Sequence, residues 1–340
     1  MEVARVGLVG LGYWGQKYLR VLRDNASVQL TFVTDADPAR LGHDSRHLGV
    51  PTFLSVKEAL EQLPCDAVIV VTPPATHREV VETCLEDGVD VLVEKPFALS
   101  SADAQSMVDC SQDAGRLLLP AHIYAHNDVV RHLVRKQAEG VLGQLRLVSL
   151  SRLGLGPVRS DVNALWDLVP HDLTVLDLLE LKAPKQVSCV GRSIVRPGIE
   201  DVVLARICYP EDVMAYIQAS WLSPVRVRQA IVYGSRRTAV FDDASADSPL
   251  RFLSSTAKEL AAATPGQTSG DMRSGGVDVP NLRAHEPLKN LLTDFLRLRN
   301  QPSQAEEHVG RALRIVRVLE LMTKSLNAGG RAERFNHEAG

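Results

Sequence analysis

The chain has 340 residues, 45% of them hydrophobic and 23% charged, which is the balance of a soluble globular protein with room for two ordinary domains and excludes a disordered chain. Its formal net charge of −3 supplies no global field to draw it to nucleic acid or to an anionic membrane. Cys65, Cys84, Cys110, Cys189 and Cys208 are odd in number, unclustered and without a CxxC pair, which argues against a disulfide framework or zinc site and for a reducing cytoplasm. Glycines and Arg5 interrupt the apolar N-terminus and no apolar run is long enough to span a bilayer, so a soluble, cytoplasmic protein is expected.

In chain order, "ARVGLVG" reads as a strand and "YWGQKYLRVLRD" as a helix. The strand "VQLTFVTD", the helix "PARLGHDSRHL", the strand "DAVIVVT", the helix "ATHREVVETCLEDG" and the strand "DVLVEK" follow. A helix through "SADAQSMVDCSQDAG" then leads to the strand "RLLLPA". Near-continuous apolar strands separated by amphipathic helices predict a doubly wound parallel sheet over 1–121. After it come the helix "NDVVRHLVRKQAEG", the strand "QLRLVSLSRL", a helix at "LWDLVPHDL" and a run of extended segments from "KQVSCVGRSIV" to "RRTAVFDD". These predict an antiparallel meander with turns at "YPED" and "YGSR", presenting one broad face that needs covering. The fold class is therefore α/β, a Rossmann sheet followed over 122–340 by a domain with a large, mainly antiparallel open sheet. The stretch 254–285 reads as an excursion before C-terminal helices resume and pack back on the first domain.

"VGLVGLGYWG" places Gly10, Gly12 and Gly15 directly after the first strand and at the opening of a helix. Gly10 permits a tight turn, Gly12 lets a pyrophosphate approach backbone N–H groups, and Gly15 lets the helix pack close to the strand. Asp35, at the end of the second strand, is placed to accept hydrogen bonds from the adenosine ribose and to repel a 2′-phosphate. "ADPAR" after it offers no adjacent basic side chain, so the cofactor is expected to be NAD rather than NADP. Tyr13 and Trp14 would pack around this turn.

"VLVEKP" ends a buried strand with Glu94, Lys95 and Pro96. Ligands in such sheets bind beyond the carboxyl ends of the strands. There Lys95 can stabilise a developing alkoxide; read alone, it is equally a snorkelling lysine at a strand end. In "LWDLVPHDL", Asp167 and His171 are four apart, on one helix face about 5–6 Å apart at Cβ, with Pro170 expected near the helix start. A carboxylate beside an imidazole fixes its tautomer and raises its basicity, which suits a general base. An isolated D-x-x-x-H is more often a satisfied core histidine with a capping acid, and it is the glycine turn and "EKP" that favour the catalytic reading. Asp172 either holds substrate or satisfies the first helical turn. Arg152, Asn163 and Trp166 flank the pair and are candidates for contacts to the substrate or a charged leaving portion, against ordinary packing. The i,i+4 pairs His43/His47 and His122/His126 lack a third ligand, so no metal is expected.

The glycine turn, "TPPATH", "EKP", the Asp-x-x-x-His and "EPLKN" occur in the order and spacing of the Gfo/Idh/MocA oxidoreductases, which this chain resembles over nearly its whole length. "GYWG" and "RLGLGPVRSDVNALWDLVPHDL" look most like the branch of nucleotide-sugar 3-dehydrogenases acting on amino sugars. The resemblance implies Lys95 before a cis Pro96, a catalytic set of Lys95, Asp167 and His171, and cofactor contacts from the glycine turn, Asp35, Thr72, Pro73, His77 and Glu94. It also implies dimers or tetramers through the second sheet. "AHIYAHND" is more histidine-rich than in many relatives, which leaves His122 and Tyr124 as candidates on the substrate side. The expectation is an NAD-dependent dehydrogenase of a secondary ring hydroxyl, at C3 of a nucleotide-linked amino sugar or an aminoglycoside-type glycoside. An inositol or polyol dehydrogenase, or a non-enzymatic sugar and NAD sensor, are the alternatives.

Overall fold

The computed structural model describes residues 3–44, 49–245, 247–254, 276–282 and 285–335, without side-chain detail for 43 and 44. The chain divides into two compact units, the first built from 1–126 with 286–317 and the second from 127–285 with 318–340. No described helix is long and apolar enough to cross a membrane.

In the first unit β1 (Ala4–Val9), α1 (Tyr13–Arg23), β2 (Val28–Thr34), α2 (Pro38–Asp44), β3 (Thr52–Phe53) and α3 (Val56–Gln62) come first. They are followed by β4 (Ala67–Val70), α4 (His77–Glu86), β5 (Asp90–Val93), α5 (Ser101–Asp113) and β6 (Leu118–Pro120). Among the described residues the six strands form one parallel sheet in the order β3-β2-β1-β4-β5-β6. Strand order reverses between β1 and β4, and a crevice opens beyond the carboxyl ends of strands at such a point. Every residue of β4 and β5 is buried, as a sheet covered on both faces requires. The helix Pro287–Leu298 belongs to this unit and buries Leu288, Leu291, Leu292 and Phe295 in one cluster with Val6, Leu8, Leu22 and Leu92. Arg299 just after it donates to Asp90 at 2.8 Å.

The second unit contains α6 (Asp128–Ala138), β7 (Leu145–Leu155), α7 (Ala164–Leu178), β8 (Gln186–Arg192), β9 (Val202–Cys208), β10 (Met214–Ser220), β11 (Leu222–Gly234), β12 (Thr238–Asp242), β13 (Leu250–Leu253), β14 (Val277–Asp278) and β15 (Glu333–Arg334). The described strands form a nine-stranded sheet in the order β14-β13-β12-β11-β7-β10-β9-β8-β15. "YPED" and "YGSR" do turn β9 into β10 and β11 into β12, each pair antiparallel. The expected simple meander needs correction, because β7 lies between β10 and β11 and runs parallel to β10. Turn chemistry reveals which strands are consecutive, whereas pairing with an earlier strand is a long-range choice that local residues do not encode. Of the 254–285 excursion, 255–275 and 283–284 lie outside the described residues; Val277 and Asp278 return to pair with Leu253 and Phe252.

Helix α7 packs over β10, β7 and β9. The covered face carries Val203, Ala205, Ile207, Ala215 and Ile217, all buried, while Leu204 and Tyr216 on the opposite face stay exposed. This is the period-two alternation of a sheet covered on one side.

Candidate active site

The first unit gathers the residues expected to hold a dinucleotide. Gly10 has φ +99°, and a Cβ there would lie 2.7 Å from the Val71 carbonyl; at Gly15 it would lie 2.1 Å from the Gly10 carbonyl oxygen. Neither position has room for a side chain, so turn and helix close tightly on one another. Gly12 is the N-cap of α1 and provides no side-chain cap, and the first turn has no acidic residue. The N–H groups and the positive end of the helix dipole are thus left for an anion. Lys17 lies with its ammonium 4.7 Å from the Tyr13 ring centre and 5.5 Å from that of Trp14. These residues fit a pyrophosphate-bearing cofactor.

Asp35 is buried and anchors the turn: Oδ2 accepts from the Leu11 N–H at 2.8 Å and Oδ1 from the Asp37 N–H at 2.9 Å. Its surroundings correct one argument made from sequence. The Arg40 guanidinium lies 3.5 Å from Asp35 Oδ2 and another 3.5 Å from Asp37, so a cation does stand at the carboxylate expected to meet the ribose. Arg40 is not adjacent in sequence, but the first turn of α2 folds it back.

Beyond β5 the Lys95–Pro96 bond is cis. Tyr18 donates its hydroxyl to Glu94 Oε1 at 2.8 Å, and the Lys95 N–H donates to Glu94 Oε2 at 2.9 Å. Burial, with the Glu94 carboxylate beside it, pushes the Tyr18 phenol well above its ordinary range, so Tyr18 remains a donor. Beyond β4, Thr72 accepts from the Thr76 hydroxyl at 2.9 Å, Pro73 is exposed, and His77 is fully buried. His122 and Tyr124 are also buried; burial, then Arg311, His308 and His126, pulls the His122 imidazole down to about 3. His126 is joined to Asp294 at 2.6 Å and stacks on His308. The side chains of His43 and His47 lie outside the described residues.

In the second unit, Asn163 caps α7: its side-chain oxygen accepts from the Trp166 N–H at 3.2 Å and its amide donates to Glu200 at 2.7 Å. Pro170 does not sit at the helix start as expected but inside the helix, where it cannot donate to the carbonyl of Trp166. Thr174 donates to the Pro170 carbonyl at 2.7 Å. Asp167 is held on both oxygens, Oδ1 by Arg159 Nη1 at 3.3 Å and Oδ2 by the Trp221 indole N–H at 3.0 Å. Arg159 also grips Asp161, whose hydrogen bonds hold the guanidinium in its charged form. His171 follows one turn later, half-buried.

Arg152 and Asp172 are buried and paired with each other, Nε and Nη2 both donating to Oδ1 at 3.2 and 2.9 Å. The second oxygen of Asp172 is buried without a hydrogen-bond partner. Burial therefore raises the Asp172 carboxyl despite the opposing pull of Arg152. Trp166 donates its indole N–H to Thr323 at 3.0 Å. Arg152, Asn163 and Trp166 thus have structural partners of their own. Arg159 and Trp221 escaped the reading of individual residues, because no local pattern pairs a strand-end tryptophan with an aspartate 54 positions earlier.

Residues 4–122 match an oxidoreductase family with an NAD-binding Rossmann fold, GFO_IDH_MocA, and residues 130–240 match the GFO/IDH/MocA C-terminal domain. Over 243 residues the chain is 30% identical to UDP-N-acetylglucosamine 3-dehydrogenase of Acidithiobacillus ferrooxidans, covering 70% of this chain and 74% of that one. The chain belongs to the Gfo/Idh/MocA family. It is accordingly an NAD-binding oxidoreductase. It is also similar to 2,7-anhydro-N-acetylneuraminate hydratase of Mediterraneibacter gnavus, 25% identical over 58% of this chain and 55% of that one. Among solved structures, GenD2 from gentamicin A biosynthesis in complex with NAD shares the fold at a TM-score of 0.80 and 21% identity, covering 99% of this chain and 97% of the other.

Proposed function

We propose that the protein oxidises a secondary ring hydroxyl, at C3, of a nucleotide-linked amino sugar, with aminoglycoside-type glycosides the second substrate class. The observation that carries this reading is Asp167, a carboxylate held on both oxygens by Arg159 and Trp221 one turn before His171. Such a carboxylate is fixed in place, so it can fix the imidazole in turn. His171 accepts the hydroxyl proton, Asp167 orients it, and the Lys95 ammonium stabilises the oxygen that loses the proton. Bound NAD⁺ supplies the hydride acceptor. The C3 position and the amino sugar are supported by the 30% identity to the UDP-N-acetylglucosamine enzyme.

His171→Ala is expected to lower kcat by about 10²–10⁴-fold with NADH affinity unchanged; an equally active variant removes His171 from the mechanism. A panel of sugar nucleotides, aminoglycoside intermediates and inositols assigns the substrate by NADH formation. Turnover of inositols alone makes the protein a polyol dehydrogenase, and NADH binding without any turnover makes it a sensor.

The working form is a homodimer or homotetramer joined through the outward face of the nine-stranded sheet. Val190, Leu204, Tyr216 and Tyr233 are 46%, 49%, 45% and 37% exposed there, a clustering of large apolar side chains that a second copy would cover. Tyr216→Glu should shift the protein to monomer in sedimentation; an unchanged mass removes this face from the assembly.

A further inference from the structure

His77 opens α4, is fully buried, and lies against the ends of two neighbouring parallel strands. Its Nε2 is 3.0 Å from the carbonyl oxygen of Thr72, just past β4. Its Nδ1 is 3.1 Å from the carbonyl oxygen of Pro96 and 3.3 Å from that of Phe97, just past β5. One ring thus spans the two segments that carry Thr72 and Lys95. The other side of the Lys95 segment is fixed separately, by Tyr18 through Glu94. Lys95 therefore sits between two anchors, with a tyrosine on one flank and this histidine on the other.

We propose that His77 is a positioning residue with two separable tasks: Nδ1 sets the backbone that aims Lys95, and Nε2 sets the Thr72 backbone at the cofactor's edge. The chemistry is restrictive. Carbonyl oxygens only accept, so both contacts are hydrogen bonds only when both ring nitrogens carry hydrogen. A buried backbone carbonyl left without a donor relaxes towards another, and the residues on that segment move with it. His77 has no exposed surface, so it is not the direct cofactor contact expected from the resemblance and acts through Thr72 and Lys95. The assignment of catalysis to Lys95 rests on the dehydrogenase reading above.

Two conservative variants separate the tasks. An asparagine amide reaches about as far as Nδ1, and a glutamine amide about as far as Nε2. His77→Asn keeps the tie to Pro96 and loses the tie to Thr72: the NADH Kd should rise about tenfold, one hydrogen bond's worth, with kcat retained. His77→Gln keeps Thr72 and loses Pro96: kcat should fall about tenfold, with NADH Kd and the sugar KM retained. Equal losses in both parameters for both variants, or no loss in either, overturn the proposal. A further measurement needs neither turnover nor a folded variant. Nitrogen-15 NMR of the unsubstituted protein's histidine side chains should show one buried imidazole with two slowly exchanging N–H signals, and the absence of such a ring overturns the double tie. If the unsubstituted protein turns over no sugar, the dehydrogenase reading fails by itself. The NADH affinities and the ring hydrogens then still decide whether His77 holds the two strand ends.

Discussion

Helices α1 and α7 serve their sites in opposite ways. The first leaves its N-terminus open: Gly12 stands at the cap with no side chain to bond the first-turn N–H groups, and no carboxylate occupies that turn. The second closes its N-terminus with Asn163, puts Asp167 in the first turn and carries the proposed base, His171, one turn farther along. A helix that offers its end to an anion leaves the orphan N–H groups unmet, whereas a helix that offers side chains satisfies its own end first. The same division runs through burial. The glycine turn needs only backbone, while α7 must hold a buried charge, Asp172, beside the proposed base.

That buried charge is where the comparison can be broken most forcefully. Arg152→Met strands the Asp172 carboxylate among apolar neighbours, and loss of one partner of a buried pair costs about 3–5 kcal/mol. The folded carboxyl already lies above its unfolded value of 3.8, so the native state binds the proton more tightly than the unfolded state does. The contribution of Asp172 is thus fully present below 3.8 and is lost as pH rises through the raised value. Chemical denaturation at about pH 3.5 and about pH 8 should show the Arg152→Met penalty smaller at the lower pH, where protonation of the raised Asp172 carboxyl is the more complete, and Asp172→Asn should remove the slope. A penalty independent of pH would mean that Arg152 acts by packing alone.

The next largest effect concerns Asp35 and Arg40. With the carboxylate present, Arg40 is occupied by Asp35 and Asp37. Asp35→Ser removes the negative charge and releases the guanidinium toward a 2′-phosphate, raising kcat/KM for NADP about tenfold relative to NAD. Adding Arg40→Ala to that background should cancel the gain. If the double variant keeps NADP activity, Arg40 is a bystander.

What the sequence disclosed and what it withheld follow the range of the interactions. The glycine turn, the strand that ends in Glu94 and Lys95, and the helical spacing of Asp167 and His171 are local patterns, readable over a few residues. Arg40 is five residues from Asp35 along the chain, and only the first turn of α2 brings it back to that carboxylate. The grip of Trp221 on Asp167, 54 positions away, and the insertion of β7 between β10 and β11 depend on pairings across many residues and leave no periodic trace. The interior position of Pro170 was hidden for a different reason. Capping by Asn163 starts the helix earlier than the proline would suggest, and packing over β7, β9 and β10 tolerates the missing hydrogen bond. β3, with two residues, is too short to show any period.

The gentlest test addresses the helix ends directly. Gly12 has φ −66° and ψ −167°, and a Cβ would meet nothing closer than Arg40 Nη1 at 3.7 Å, so a side chain is sterically admissible there. Gly12→Ser would cap α1, adding a few tenths of a kcal/mol to the stability of the cofactor-depleted protein. Its hydroxyl would occupy the N–H groups an anion needs and take up space above them, so NADH should bind more weakly, by about tenfold. Asn163→Ala runs the other way, costing about 1 kcal/mol of stability with NADH affinity untouched. Opposite signs in the two helices, each read by thermal unfolding and NADH titration on the same preparation, are what the division of labour requires. A serine at position 12 that stabilises the protein and leaves NADH affinity intact would show that the open end of α1 is not what holds the cofactor's phosphates.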